Sequence, residues 1–253
     1  MNKTYRVIFS AARGALMVVN ELTSSVQKKG ASAIVTAAAL TLTSTALMAG
    51  TTLVADEGQS VDINIEVPDK NGHGVEANAG EIKTIGSEQS QITISATGKG
   101  GIAAYSEGYL TILGQNITLS SPNEKGKAAT QATKGGQLTV GSEATEKTIL
   151  SSTKEGVYAT KENTSVKVNG KGIDITSSKS HGVFASSGAN VTVGSENTST
   201  LTIAGTTAIW AQRTFNDKPS SVNVQADSIF LKSTSEAAVE AKRGVSGFLC
   251  LGR

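Results

Sequence analysis

The chain has 253 residues, of which 38% are hydrophobic and only 4% aromatic, and its formal net charge is +2. The leader through Ala49 holds five basic residues and one acid, so residues 50–253 carry 18 basic and 20 acidic side chains. The excess positive charge therefore belongs to the leader and is no evidence for nucleic-acid binding. The single cysteine, Cys250, excludes an internal disulfide framework.

Residues 31–49 form an uncharged apolar stretch behind Lys28 and Lys29. A positive flank, an apolar core and small residues at the exit are typical of a secretory signal peptide. We predict cleavage after Ala49, with Ala46 and Ala55 as competing sites. A transmembrane helix is the alternative, because the stretch is nearly long enough to span a bilayer. Its Ser and Thr content and the lack of a basic cluster after it argue against that alternative.

A second, shorter apolar stretch precedes this one, in MNKTYRVIFSAARGALMVVNELTSS. It resembles the extended signal peptide region of type V secreted proteins, the autotransporters and two-partner-secretion proteins of Gram-negative bacteria. The matching residues are Met1-Asn2-Lys3, Tyr5-Arg6-Val7-Ile8, Ala12-Arg13-Gly14, Val18-Val19 and Glu21-Leu22-Thr23. The resemblance implies that the signal peptide engages the export machinery and that the chain passes through the periplasm. An amphipathic cytosolic helix fused to a signal peptide is the alternative.

A tripeptide that ends in alanine recurs along the rest of the chain. Its copies are spaced by 27, 28, 27, 26, 26 and 30 residues, a period in the range of solenoid proteins. The copies are Val75-Glu76-Ala77, Ile102-Ala103-Ala104, Thr130-Gln131-Ala132, Val157-Tyr158-Ala159, Val183-Phe184-Ala185, Ile209-Trp210-Ala211 and Val239-Glu240-Ala241. The alanine predicts a tight place in each coil, where a larger side chain would collide with its stacked copies.

Each unit also contains two strand-like pieces with inward apolar residues at positions i and i+2. Such alternation places both residues on one face of a strand. The second piece carries Leu110/Ile112, Leu138/Val140, Val166/Val168, Val191/Val193 and Val222/Val224. The third carries Ile92/Ile94, Ile117/Leu119, Thr148/Leu150, Ile173/Ile175, Leu201/Ile203 and Ile229/Leu231. Three short strands in each unit, without a helical pattern between them, predict one coil of a parallel β-helix.

The predicted fold class is therefore all-β, a parallel β-helix with coils of about 27 residues behind a cleavable signal peptide. The pattern resembles the passenger domains of autotransporters, which are typically right-handed β-helices. We expect an extended signal peptide over residues 1–49, a linker over 50–60, a passenger-like β-helix over 61–241 and an atypical tail over 242–253. The alternating segment Val61–Val67 is expected to cap the first coil.

Two histidines, His73 and His181, each stand two residues before a repeated tripeptide. Four coils separate them, which corresponds to about 19 Å at roughly 4.8 Å per coil. Zinc ligands, in contrast, lie about 2 Å from one shared ion. We therefore predict no metal site at these residues and expect both side chains to lie in solvent-facing turns.

Other polar motifs give equally weak signals for chemistry. Gly170-Lys171-Gly172-Ile173-Asp174 is similar to part of a calcium-binding nonapeptide, but such sites need tandem copies, and we expect Asp174 to point outward. Gly86-Ser87-Glu88, Gly141-Ser142-Glu143 and Gly194-Ser195-Glu196 recur in alternate coils, which predicts carboxylates about 10 Å apart along one edge. That spacing favours a solvated turn ladder over an acid–base pair, with a weak cation or ligand surface as the alternative. No catalytic residue, cofactor or metal is predicted.

Aromatic residues recur at one repeat position, as Tyr158, Phe184 and Trp210 in three successive coils. They are predicted to stack as a ladder on one surface, with Ala103 and Gln131 earlier in the same column. Such a ladder can stabilise the β-helix by outward stacking. It can also form a contact patch for a host glycan or protein, because it offers apolar surface.

The tail after Ala241 is predicted to abandon the repeat, and it is too short for a translocation barrel. Its composition resembles a truncated end, so the chain is either the front of a longer gene or a partner of a separate barrel protein. The open strand edge at Ile229-Phe230-Leu231, beside Cys250, predicts self-association through this end.

Leader and repeat together predict an exported passenger fragment at the surface or outside of a Gram-negative bacterium. Its predicted role is structural or adhesive, without catalytic activity. A β-helix enzyme that degrades polysaccharides is the alternative, and it would need a tight cluster of acids and bases in a groove.

Overall fold

The computed structural model describes the backbone of residues 5–10, 15–20, 38–43, 61–212, 218–234, 237–242 and 248–251. It describes the side chains of residues 62–212, 218–234 and 237–242. All regular structure in these ranges is β-strand. The predicted cleavage site at Ala49 and the whole of the predicted linker over 50–60 lie outside the described residues.

The strands form one hairpin and three parallel sheets. The hairpin pairs β1 (Tyr5–Ser10) with β2 (Ala15–Asn20). Sheet 1 contains β3 (Ala38–Thr43), β4 (Val61–Val67), β7 (Gln91–Ala96), β10 (Asn116–Ser121), β13 (Lys147–Ser152), β16 (Gly172–Ser177), β19 (Thr200–Gly205) and β22 (Ser228–Ser233). Sheet 2 contains β5 (His73–Ala77), β8 (Ile102–Ser106), β11 (Thr130–Thr133), β14 (Val157–Thr160), β17 (His181–Ser186), β20 (Thr207–Gln212) and β23 (Val239–Lys242). Sheet 3 contains β6 (Ile82–Gly86), β9 (Tyr109–Leu113), β12 (Gln137–Val140), β15 (Ser165–Val168), β18 (Asn190–Gly194), β21 (Ser221–Gln225) and β24 (Phe248–Leu251).

From β4 onward the chain visits sheets 1, 2 and 3 in turn, and each strand pairs in parallel with the strand one coil later. Each coil thus hydrogen-bonds to the coil before it and the coil after it, which is the architecture of a parallel β-helix. The predicted fold is confirmed, with about six turns and coils of about 28 residues.

A continuous apolar core runs along the inside of the coils. The inward pairs of sheets 1 and 3 are those predicted from the alternation; Leu138, for example, aligns with Leu110 and Val166 in the neighbouring coils and is 1% exposed. Thr148 takes one inward position of sheet 1, and its hydroxyl donates to the Asn169 carbonyl at 2.6 Å. That bond satisfies a polar group which would otherwise be costly to bury.

The second coil is offset from the predicted alignment by two residues. Sheet 2 pairs Val75-Glu76-Ala77 with Ala104-Tyr105-Ser106 rather than with Ile102-Ala103-Ala104. The prediction was wrong because strand alternation has a period of two, so a slip of two residues keeps every side chain on its own face. Ser106 therefore takes the alanine position, where its hydroxyl donates to the Gly108 carbonyl at 2.8 Å. The aligned alanines of five other coils are fully buried, namely Ala77, Ala132, Ala159, Ala185 and Ala211. Ala241 aligns with Ala211 on the last strand of sheet 2 but is exposed, so the predicted tight place is not found in that coil.

Ala103 belongs instead to a second column of small residues at the corner between sheets 1 and 2. The column contains Gly74, Ala103, Ala129, Gly156, Gly182 and Ala208. A Cβ added to Gly182 would lie 2.5 Å from Cγ2 of Ile203 and 2.8 Å from the carbonyl oxygen of Ala208. Isoleucines of sheet 1 thus fill the space that a side chain would need at this corner.

The first coil has a polar inward residue. Lys83 aligns with Leu110 and is only 5% exposed. Its Nζ donates to the Glu76 carbonyl at 2.6 Å and lies 2.9 Å from the Glu81 carboxylate, so the buried charge has partners. Val61–Val67 was predicted to be a cap, but it forms β4 of sheet 1, and Lys83 places a polar group at this end of the core.

Both ends of the chain contribute strands to the sheets. Strand β3 lies in the predicted signal peptide and pairs in parallel with β4. At the other end, β24 pairs with β21 and aligns Phe248 with Val222 and Cys250 with Val224. The tail therefore does not abandon the repeat as predicted, because Phe248 and Cys250 keep the i, i+2 alternation. Among the described strands none pairs with the outer edge of β22; self-association through this end stays a prediction.

Candidate contact surface

The outward face of sheet 2 carries three rings in register. Tyr158, Phe184 and Trp210 align on β14, β17 and β20, and we call these three residues the aromatic ladder. Their neighbours along the strand, such as Val183 and Ala185, are fully buried in the core. Because successive residues of a strand point to opposite faces, the coil itself directs the rings outward, and each is half-buried.

Ring contacts link the ladder, directly between Tyr158 and Phe184 and by way of His181 between Phe184 and Trp210. The ring centroids of Tyr158 and Phe184 lie 5.1 Å apart, with an interplanar angle of 3°. The His181 ring lies 5.5 Å from Phe184 and 4.5 Å from Trp210. Nζ of Lys242 lies 4.1 Å from the centroid of a Trp210 ring, which is a cation–π contact. Because neighbouring groups lie against the ring faces and each ring is still partly exposed, we infer that mainly the ring edges face solvent.

Few polar groups of the ladder remain free for a ligand. The Trp210 indole Nε1 donates to Oε1 of Gln212 at 3.4 Å. The Tyr158 hydroxyl is hydrogen-bonded to the Thr160 side chain, and burial raises its pKa. Burial also lowers the pKa of His181, against the opposite influence of the nearby Glu155 carboxylate. Nδ1 of His181 is buried without a hydrogen-bond partner among the described residues.

Both histidines were predicted to lie in solvent-facing turns, and this prediction was wrong. They begin strands β5 and β17 and are half-buried. His73 stacks on Tyr105 with 4.5 Å between centroids, and its Nδ1 lies 3.1 Å from the Glu76 carboxylate. Each histidine ring packs onto an outward aromatic ring of the next coil. The position of each histidine within the repeat did not predict this contact. Within the described part of the chain no group of three or more His, Cys, Asp or Glu side chains is arranged to hold a metal ion.

Tyr105 shares the repeat position of the ladder, and Ala103 does not. The outward column contains Glu76, Tyr105, Gln131, Tyr158, Phe184, Trp210 and Glu240. The Tyr105 hydroxyl donates to the Glu107 carboxylate, and burial together with this bond raises the Tyr105 pKa. If the second repeat had been aligned by its outward aromatic residue rather than by its inward alanine, Tyr105 would have been assigned to the column of the ladder. His181 and Lys242 were missed because they occupy other repeat positions.

The turns that contain the Gly-Ser-Glu triplets form a ladder of their own between sheets 3 and 1. The leading residues Gly86, Gly141 and Gly194 have φ values of 77°, 78° and 82°, which glycine adopts without strain. The Glu88 carboxylate accepts from the Ser142 hydroxyl at 3.1 Å, and the Glu143 carboxylate accepts from the Asn197 amide at 3.0 Å. These acids therefore bond across two coils in solvent-exposed turns.

Sheet 3 presents a different outward surface in the same coils. Its outward positions beside the ladder are Lys167, Thr192 and Asn223. Sheet 1 carries Asp174 at its outward position, as predicted, and its carboxylate pairs with Nζ of Lys147 at 2.9 Å. Rings in register over three coils are thus a property of sheet 2.

Comparison with protein families matches residues 1–50 to the Extended Signal Peptide of Type V secretion system. No characterised protein and no solved structure matches the chain. In the part of the chain that the structure describes, no helix has the length and hydrophobicity needed to cross a membrane. The resemblance of the first residues to this leader is therefore confirmed. The chain begins with an extended signal peptide of type V secretion, is exported through the periplasm as a substrate of that system, and continues as a parallel β-helix.

Proposed function

We propose that the exported β-helix is a passenger segment that makes adhesive contacts and has no catalytic activity. The aromatic ladder is the observation that carries this proposal. Its three rings lie in register and partly exposed on sheet 2, whereas sheet 3 of the same coils is polar outside. Aromatic side chains are enriched in the contact surfaces of proteins because they supply large apolar area at low entropic cost.

The leader supports the location that adhesion requires. A substrate of type V secretion leaves the cytoplasm through the periplasm, and we place the mature chain at the cell surface or outside a Gram-negative bacterium. A ligand on a host cell, either a glycan or a protein, is then within reach of sheet 2.

Ion pairing of acidic side chains with lysines supports the absence of catalytic activity. Glu107 pairs with Lys134 at 2.9 Å, Asp174 with Lys147 at 2.9 Å and Glu146 with Lys171 at 2.7 Å. A glycosidase needs two carboxylates held on either side of the scissile bond. Acids that are paired with lysines on an outer surface are poorly suited to that task.

Two measurements test the proposal. An antibody against residues 61–241 should label intact bacteria, and surface proteolysis should remove the signal. The purified exported chain should bind host cells in a saturable manner and should leave polyuronates and other polysaccharides uncleaved. A signal confined to the cytosol, or new reducing or unsaturated ends in the polysaccharide, would contradict it.

A further inference from the structure

The geometry of the ladder bears on which ligand it fits. Proteins commonly bind sugars by placing an exposed ring face against the sugar. Here Phe184 lies against Tyr158 at 5.1 Å, and Trp210 has the His181 ring and the Lys242 ammonium within 4.5 and 4.1 Å. The surface left for a ligand consists mainly of ring edges, which can pack against apolar side chains.

The hydrogen-bonding groups lead to the same conclusion. A small polar ligand is oriented by a few precisely placed donors and acceptors. The indole N–H of Trp210 already donates to Gln212, and Nδ1 of His181 is buried. Apolar side chains of a protein partner do not need such groups.

Exposed lysines border this face on both sides. Lys154 and Lys179 precede β14 and β17, and Lys134 and Lys161 directly follow β11 and β14. Lys179 and Lys134 have carboxylate partners, Glu124 at 2.6 Å and Glu107 at 2.9 Å. Among the described residues no ion pair involves Lys154 or Lys161.

Two of these lysines occupy backbone positions that suit other residues better. Lys134 has a φ of 54° and Lys161 a φ of 81°, in the left-handed region. Glycine or asparagine adopts that region more readily than lysine does. Lys134 pairs with Glu107, which gives a reason for lysine in that turn. The backbone conformation gives no reason for lysine at Lys161, and a surface role does.

We propose that sheet 2 binds a protein segment whose apolar side chains are bordered by carboxylates. This inference rests on the contact function proposed above. The apolar side chains lie on the ring edges of the aromatic ladder. The carboxylates meet Lys154 on one side and Lys161 on the other. Complementary charge of this kind guides association and fixes the orientation of the partner.

Three probes and three variants test this partner chemistry on the exported chain. The probes are a ten-residue peptide of alternating Leu and Glu, the same peptide with Ser in place of Glu, and heparin. The ladder triple is Tyr158→Ser, Phe184→Ser and Trp210→Ser. The lysine pair is Lys154→Ser and Lys161→Ser. The control pair on sheet 3 is Lys167→Ser and Thr192→Ser. Circular dichroism verifies that each variant is folded.

We expect the Leu/Glu peptide to bind roughly ten-fold more tightly than the Leu/Ser peptide. The ladder triple should weaken binding by about ten-fold or more, because buried aromatic anchors carry most of the affinity of an interface. The lysine pair should weaken it by roughly three-fold at low salt and reduce its dependence on salt. The control pair should bind like the unaltered chain.

Stronger binding of heparin, lost in the lysine pair and kept in the ladder triple, would overturn the inference in favour of an anionic glycan. Failure of both peptides, while binding to host cells still depends on the ladder, would overturn the partner chemistry and leave the proposed function intact. Failure of the unaltered chain to bind host cells would remove the proposed function and this inference together.

Discussion

Sheets 2 and 3 pass through the same coils and share one core, yet their outer surfaces differ. Inside, both present small or branched apolar residues, such as Val183 and Val191, which are fully buried. Outside, sheet 2 presents the aromatic ladder, whereas sheet 3 presents Lys167, Thr192 and Asn223. In the three coils of the ladder sheet 3 has polar residues outside, so these coils do not require rings on sheet 2. The inner residues follow from packing, and the ladder needs a separate cause.

The substitution with the largest expected effect on stability is Ala185→Leu, in the inner alanine column of sheet 2. Ala185 is fully buried between Ala159 and Ala211 of the neighbouring coils, so a larger side chain overpacks the column. We expect a loss of about 1–3 kcal/mol in the free energy of unfolding. Thr192→Lys on the outer face of sheet 3 should change it by less than about 0.5 kcal/mol. Chemical denaturation measures both, and the reverse order would show that inward and outward faces are exchanged.

Substitutions on the outer faces of sheets 2 and 3 should differ by a smaller amount in folding stability. Phe184→Ser removes the stack with Tyr158, and we expect it to cost about 1 kcal/mol of folding stability, in line with the value of aromatic pairs. Thr192→Ser, at the matched position on sheet 3, should cost less than about 0.5 kcal/mol. Equal losses in chemical denaturation would mean that stacking in the ladder contributes nothing to the fold.

The smallest expected effect is a dependence of stability on pH at the ladder. Desolvation lowers the pKa of His181 below its ordinary value of 6.5, although Glu155 and Glu240 act in the opposite direction and Lys242 in the same one. Below pH 6.5 the unfolded chain binds a proton at His181 before the folded chain does. Stability from neutral His181 is therefore full above that pH and is lost as the pH falls through the lowered pKa.

His181→Gln should remove this contribution, so the variant should lose less stability than the unaltered chain between pH 7.5 and 5.5. Denaturation curves at both pH values, for both chains, measure the difference. Identical changes in the two chains would show that the His181 pKa is the same in the folded and unfolded states.

The sequence was informative where the coil constrains the residue. Inward pairs such as Leu138 and Val140 alternate because each must enter the core, and the predicted sheets 1 and 3 follow from them. The sequence was misleading where two strand registers place the same side chains inward. In the second coil Ala104 fits the inward position of Val75 as well as that of Ala77, and the structure has it beside Val75. Contacts between different repeat positions, such as His181 with Trp210, depend on side-chain geometry across coils. Neither periodicity nor composition encodes them directly.

The comparison between the two outer faces is tested most directly by binding to host cells. The ladder triple is compared with a sheet 3 triple, Lys167→Ser, Thr192→Ser and Asn223→Ser, which alters the same coils. With both variants folded, the ladder triple should bind at least about ten-fold more weakly, a difference of about 1.4 kcal/mol. The sheet 3 triple should stay within about two-fold of the unaltered chain, because its side chains lie outside the proposed contact. Equal binding by both triples would contradict a contact role for the aromatic ladder and would leave it as a stacking device of the fold.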